Sequence, residues 1–238
     1  MVKDALHTLR VFTDTNGKGG DPLTVVFDVK QALNETKRMA LAKEFGGAET
    51  AFIDSTEPAC VSLYNHATGR VAFAGQPLVG VASLLCELTE QTEQIIPCDA
   101  GEVHTWQEGE ITWVAKDTTG LPGWKFEQFA SVEDISAVKT VQTTSWSHKV
   151  IWAWENEALG EIRMRTFAPD WGITEAESNG SGAMLLAAQL GRHLEIRHGH
   201  GSVLYAQPLE DGLIALGGRC RLVTERTQTD HENSVIRK

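Results

Sequence analysis

The 238 residues carry a formal net charge of -11 and a pI near 5.2, with 42% apolar and 22% charged residues. So acidic a chain disfavours nucleic acid and anionic membrane surfaces as partners, because both are held by clustered Lys and Arg. No run approaches the ~20 apolar residues of a membrane span. MVKDALHTLRVF has no apolar signal core, and Cys60, Cys86, Cys98 and Cys220 form no C-x-x-C pair. The expectation is a cytoplasmic protein with neither a disulfide framework nor a zinc site.

Taken in chain order, Leu6–Phe12 reads as a first strand, TNGKGGDP as a loop and Leu23–Val29 as a second, β-branched strand. Gln31–Glu44 reads as a helix with Leu33, Met39, Leu41 and Ala42 as its apolar positions, stopped by Gly46-Gly47. Strand-like ETAFI, CVSLYN and RVAFA follow. Pro77–Leu88 is apolar on nearly every face, which predicts a buried helix with proline in its first turn. GEVHTWQ and EITWVAK are two further strands. Turn residues cluster in Thr118–Trp124, and a domain boundary is expected there.

Beyond that point the plan repeats. Strand-like KVIWAWE and EIRMRTFA lead to a second buried helix, Ala183–Leu190, broken by Gly191; SVLYAQPL, GLIALGG and RCRLVTE finish as strands. The expected fold is α+β, with two pseudo-symmetric units over 1–117 and 118–225, each a curved mixed sheet around a central helix. A polar tail over 226–238 completes the chain.

Both buried helices open through small residues: FAGQP before the first and SNGSG before the second. A helix N-terminus offers unpaired amides and about half a positive charge, and glycine lets a ligand approach them. One such entrance is more often a packing and capping device. Two facing one cleft would clamp a small carboxylate or phosphate. Glu49, with apolar neighbours Ala48, Ala51 and Phe52, is a candidate general base or acid, since burial raises a carboxyl pKa, although most glutamates at strand starts are solvated and have no such role.

Other features carry less. His193, His198 and His200 lie close in a Gly-rich stretch but lack a carboxylate or Cys at ligand spacing, so no metal is expected. Nucleotide-binding glycine patterns are absent. Cys60 and Cys86 read as packing residues.

Together the motifs VFTDTNGKGGDPLTVVF, AETAFI, RVAFAGQPLVGVASLL and RTFAPDWGITEAESNGSGAMLLAAQL resemble, in order, those of the phenazine-biosynthesis PhzF family within the diaminopimelate epimerase-like superfamily. The similarity spans about residues 9 to 224. It implies two similar domains with a site between them, no cofactor, and isomerisation of a small amino or hydroxy acid by proton abstraction from carbon. It also implies a homodimer. The family's general base, the glutamate of S-E-T-A-F, falls on Glu49.

Its histidine in F-A-G-H-P is Gln76 here. The motif E-D-P-x-T-G-S reads Glu175-Ala176-Glu177-Ser178-Asn179-Gly180-Ser181, and G-N-P-L reads Gly20-Asp21-Pro22-Leu23. The base is retained and two of its usual partners are replaced. The resulting expectation has Glu49 as base, Glu177 as a displaced second acid/base and Ser181 as a catalytic partner. Gly75, Gln76, Asn179, Gly180, Ser181, Gly182 and Asp21 would bind a small anionic substrate. The alternative is a degenerate relative that binds a small carboxylate without turnover.

Overall fold

The computed structural model describes residues 5–46, 49–140 and 145–227. Ala48 and most of the polar tail, read above from sequence, lie outside the described residues. The first half contains β1 (Ala5–Thr13), β2 (Gly19–Phe27), α1 (Glu35–Phe45), β3 (Glu49–Thr56), β4 (Ala59–Asn65), β5 (Gly69–Val71), α2 (Gly75–Thr89), β6 (Glu93–Cys98), β7 (Gly101–Glu108) and β8 (Ile111–Lys116). The second contains β9 (Lys125–Gln128), α3 (Val132–Ala137), β10 (Lys149–Asn156), β11 (Glu161–Phe167), a 3-10 turn at Pro169–Trp171, α4 (Gly180–Leu190), β12 (Leu194–His198), β13 (Ser202–Pro208) and β14 (Ile214–Thr227). The α+β class is as expected.

The sheet runs β5-β4-β3-β2-β1-β14-β13-β12-β11-β10-β9, with β8 also on β14 and β7 and β6 beyond it. Three neighbouring pairs are parallel: β2 with β3, β11 with β12, and β10 with β9. Each pair is linked by a helix (α1, α4 and α3 respectively), as a parallel pair requires a crossover connection.

GLIALGG and RCRLVTE, expected as two strands, form the single β14. Its first residues pair with β13 and β8, and from Arg219 onward it pairs with β1. The join runs through Gly217 and Gly218. A Cβ on Gly217 would lie 2.5 Å from the Trp113 ring, so the strand passes this point only without a side chain.

Two further boundaries differ from the sequence reading. Gly19–Pro22, read as loop, opens β2 and pairs with β1, with Asp21 opposite Val11. Gln31–Asn34, read as helix, is a turn. There the Asp28 carboxylate accepts the amides of Ala32 and Leu33, and Asn34 then caps α1 through Lys37 N. The side-chain acceptors satisfy those amides outside a helix.

α2 and α4 share one apolar cluster. Leu78, Val79, Val81, Leu84 and Leu85 of α2 are buried in it, as are Ala183, Met184, Leu186 and Ala187 of α4. Burial of one such large side chain stabilises by roughly 1.5–3 kcal/mol. That burial is why these helices form without favourable charges in their first or last turns. Among the described residues no helix is long and apolar enough to cross a membrane.

Candidate active site

The N-termini of α2 and α4 meet. A Cβ on Gly75 would lie 3.3 Å from Gly180 Cα and 2.5 Å from Leu216 Cδ2; one on Gly180 would lie 3.2 Å from Gly75 Cα. Glycine at both positions is therefore a packing requirement. A cavity of about 570 Å³ opens at this junction, and both small-residue entrances line it.

The entrances are the first turns of the helices themselves. Ala74 caps α2 with extended backbone and no side-chain hydrogen bond. The first two helical positions, Gly75 and Gln76, carry amides, and Pro77 at the third has none. At α4 the cap is Asn179, whose Oδ1 accepts the Gly182 amide at 2.8 Å. Among the described residues, the amides of Gly75, Gln76, Gly180 and Ser181 make no internal hydrogen bond. All four residues line the cavity, and such amides suit an anion.

Four carboxylates border the same space, and the lining contains no Lys, Arg or His among the described residues. Glu49, opposite Asn65 in the β3–β4 pair, receives Asn65 Nδ2 on Oε1 at 3.4 Å. Burial pushes its pKa up. Asp21 is 7% exposed. Burial, opposed by a 2.6 Å hydrogen bond from Ser178 Oγ and reinforced by the charges of Glu49 and Glu177, pushes its pKa up to about 7.

The other two are engaged. Burial would raise the pKa of Glu175, but the two-pronged contact with Arg165, at 2.7 Å on each oxygen, holds it below the ordinary value. Glu177 Oε2 accepts from the His200 amide and contacts His200 Nδ1, while its Oε1 accepts from Ser202 Oγ. With both oxygens occupied, Glu177 borders the cavity with its carboxylate held by β13 and the turn before it.

A directional network sets the α4 side. Trp124 Nε1 donates to Ser181 Oγ (3.0 Å), which donates to Asn179 Oδ1 (3.2 Å). Asn179 Nδ2 donates to Thr166 Oγ1 (3.2 Å), which faces His198 Nε2 at 2.9 Å. His198 Nδ1 faces the Glu177 carbonyl at 3.0 Å, an acceptor only, so the proton is assigned to Nδ1 and Nε2 accepts from Thr166. Burial, helped by the charge of Arg163, pushes His198 down to about 3 and keeps it neutral. Asn179, expected to touch substrate, has its side chain committed to this network. Gln76 is committed too: its Nε2 donates to the carbonyls of Asp21 (3.4 Å) and Pro22 (3.2 Å) and ties α2 to β2.

The lining also has an apolar part, contributed by Val71, Phe73, Trp124, Trp171 and Ile173. Trp124 and Trp171 meet edge to face with centroids 5.6 Å apart. Sequence reasoning missed Trp124, Trp171, Thr166, Ser178 and the structural role of His198. Only Ser178, beside the second entrance, carried a local signal.

The three histidines do not converge. His198 ends β12 in the core, His200 is exposed against Glu177, and His193 faces Gln207 at 3.3 Å. Among the described residues, no three His, Cys, Asp or Glu side chains are placed to hold a metal ion. Cys60 and Cys86, read as core residues, are half-buried.

The mixed sheet with its few helices is the fold of the PhzF and proline/diaminopimelate epimerase-like proteins. Residues 9–159 match the model for phenazine biosynthesis-like proteins (PhzC-PhzF), and the chain belongs to that family. It is 23% identical over 220 residues to trans-2,3-dihydro-3-hydroxyanthranilate isomerase of Pseudomonas chlororaphis, across 76% of this chain and 77% of that protein.

Two solved structures show the same fold. A phenazine biosynthesis PhzC/PhzF protein from Clostridium difficile (strain 630) aligns with a TM-score of 0.75 at 14% identity, over 94% of this chain and 98% of the other. A hydroxyproline epimerase from Agrobacterium vitis, solved with trans-4-hydroxy-L-proline, aligns with a TM-score of 0.60 at 11% identity, over 93% and 91%.

Proposed function

We propose that this protein is a cofactor-independent isomerase or epimerase of a small amino or hydroxy carboxylic acid, with Glu49 as the base that removes a proton from carbon. One observation carries the reading: a carboxyl with a raised pKa faces the same cavity as four amides that have no internal partner. A substrate carboxylate placed on Gly75, Gln76, Gly180 and Ser181 takes charge-assisted hydrogen bonds. The same amides then stabilise the negative charge that develops as the adjacent C–H bond breaks. Burial makes the Glu49 carboxylate a stronger base than a solvated one.

The apolar residues of the lining suit a ring, so a cyclic amino or hydroxy acid fits. The similarity to an isomerase of a dihydro-hydroxyanthranilate and to an epimerase of hydroxyproline supports this class. Cytoplasmic location and a homodimeric state belong to the same reading.

The test is hydrogen–deuterium exchange in D₂O across small amino and hydroxy acids. The panel includes trans-2,3-dihydro-3-hydroxyanthranilate and trans-4-hydroxy-L-proline, with wild type compared against Glu49→Gln. Exchange at a substrate carbon that drops about 10²–10⁴-fold in the variant supports the reading. A second reading, binding without turnover, is favoured by Gln76, whose amide serves β2, and by Ala176, which has no polar group. Ligand binding without exchange, retained in Glu49→Gln, would establish it instead.

A further inference from the structure

Asp21 was expected to bind substrate, and its surroundings give it a more active part. Its backbone is fixed twice, by pairing opposite Val11 and by the Gln76 amide on its carbonyl. Its carboxyl meets the segment before α4, where Ser178 Oγ donates to Oδ2 at 2.6 Å. Oδ1 makes no hydrogen bond within the protein among the described residues, and Asp21 lines the cavity that Glu49 also lines.

The charges that face this carboxyl are mostly of its own sign. Glu49 on β3 and Glu177 before α4 oppose its ionisation; Arg10 on β1, whose guanidinium donates to the Gly20 carbonyl at 3.1 Å, favours it and is the smallest of these effects. Among the described residues, no Lys, Arg or His lines the cavity to pair with it. Two buried carboxyls sharing a site without a counter-ion do not both ionise near neutrality. One proton is therefore shared by the pair, and with Ser178 on Oδ2 Asp21 holds it on Oδ1.

We propose that Asp21 is the second acid of this site, delivering a proton to the substrate from Oδ1 while Glu49 removes one. The proposal rests on the isomerase reading above. In the step, the Glu49 carboxylate takes a proton from a substrate carbon, and the C–H electron pair moves into the substrate's adjoining unsaturated or carboxyl group. The Asp21 O–H bond breaks and its proton forms a new C–H bond, on a second carbon or on the opposite face of the first. The substrate leaves as an isomer. The protein is left with a neutral Glu49 and an ionised Asp21, which exchange protons with water to reset, and no oxidant or reductant is needed. Glu177, with both oxygens held by β13 and the turn before it, is less well placed for this role.

Asp21→Asn keeps an oxygen for Ser178 and removes only the acid. With the substrate panel above, the variant should retain deuterium exchange at the carbon served by Glu49 while forming the isomer about 10²–10⁴-fold more slowly. In wild type, isomer formation should decline above a midpoint near pH 7, where Asp21 ionises. Isomer formed by Asp21→Asn at the wild-type rate, or a wild-type profile flat from pH 6 to 9, would overturn the proposal. So would loss of exchange and isomer formation together in a folded variant, since that marks Asp21 as a positioning group.

Carbon-13 NMR titration of the Asp21 carboxyl decides independently of any substrate. A midpoint near 7 that falls in Glu49→Gln supports the paired arrangement, and a midpoint near 4 overturns it. A wild type inert toward the whole panel would count against the isomerase reading, and Asp21 would then stand or fall on the titration.

Discussion

α2 enters the cavity behind Ala74, whose methyl group caps nothing, and Pro77 deletes the third amide of its first turn. α4 enters behind Asn179, whose Oδ1 occupies the third amide, that of Gly182. Each entrance is left with two amides for a ligand, one by deletion and the other by internal occupation. The difference lies in rigidity. The α4 entrance is held by hydrogen bonds running from Trp124 to the Glu177 carbonyl, whereas the α2 entrance is held by packing and by Gln76 on β2. Two helices that look alike in sequence should therefore answer mutation differently.

Asp21 joins the two, tethered to α2 through Gln76 and to the α4 side through Ser178. Its pKa rises from 3.8 to about 7 in the fold. The folded state thus binds more protons than the unfolded one between these values, and stability falls as pH rises through that window. At 1.36 kcal/mol per unit, the loss is on the order of 4 kcal/mol by pH 8. Urea unfolding should therefore find Asp21→Asn more stable than wild type at pH 8 by up to that amount, with little difference at pH 4. Equal stabilities at pH 8 would mean that Asp21 is ionised in the fold and that the junction is held by charge.

Next in size is the glycine contact itself. Gly75→Ala places a methyl group against Leu216 and the Gly180 backbone, and should destabilise by about 1–3 kcal/mol. Ligand binding should weaken as well, because the two amide pairs are forced apart. Thermal unfolding, and calorimetry with whichever acid of the exchange panel wild type binds, would check both. An unchanged melting temperature would show that the entrances can separate freely.

Much of this was legible in the chain and some could not have been. The buried helices stood out because an all-round apolar run is rare, and Glu49 because AETAFI resembles the family's base motif. Asp21 was legible as a candidate ligand contact, but its burial in a strand was hidden by its setting. Gly-Gly-Asp-Pro reads as a loop, yet pairing with β1 draws it into a strand, since tertiary pairing outweighs local propensity. Its partner Ser178 lies 157 residues away, a distance over which no spacing rule operates. His198 read as a member of a loose histidine group, but β12 carries it into the core. What identifies its role is Thr166 and a backbone carbonyl, neither of which leaves a pattern in the chain.

The smallest expected effects test the contrast between entrances directly. Asn179→Ala removes a cap and should cost about 1 kcal/mol of stability. It also frees the Gly182 amide, so the α4 side gains a ligand donor while losing the group that orients Ser181. Ala74→Ser does the reverse at α2. Ala74 already has the extended backbone of a cap (φ -146°, ψ 121°). A serine hydroxyl there can accept only from Gln76, because Pro77 offers no N–H. The variant should gain roughly 0.5–1 kcal/mol of stability and bind a carboxylate ligand less tightly, having lost one of its four amides. Tighter binding in Ala74→Ser would show that the α2 amides do not hold the anion, and would leave the α4 entrance to hold it alone.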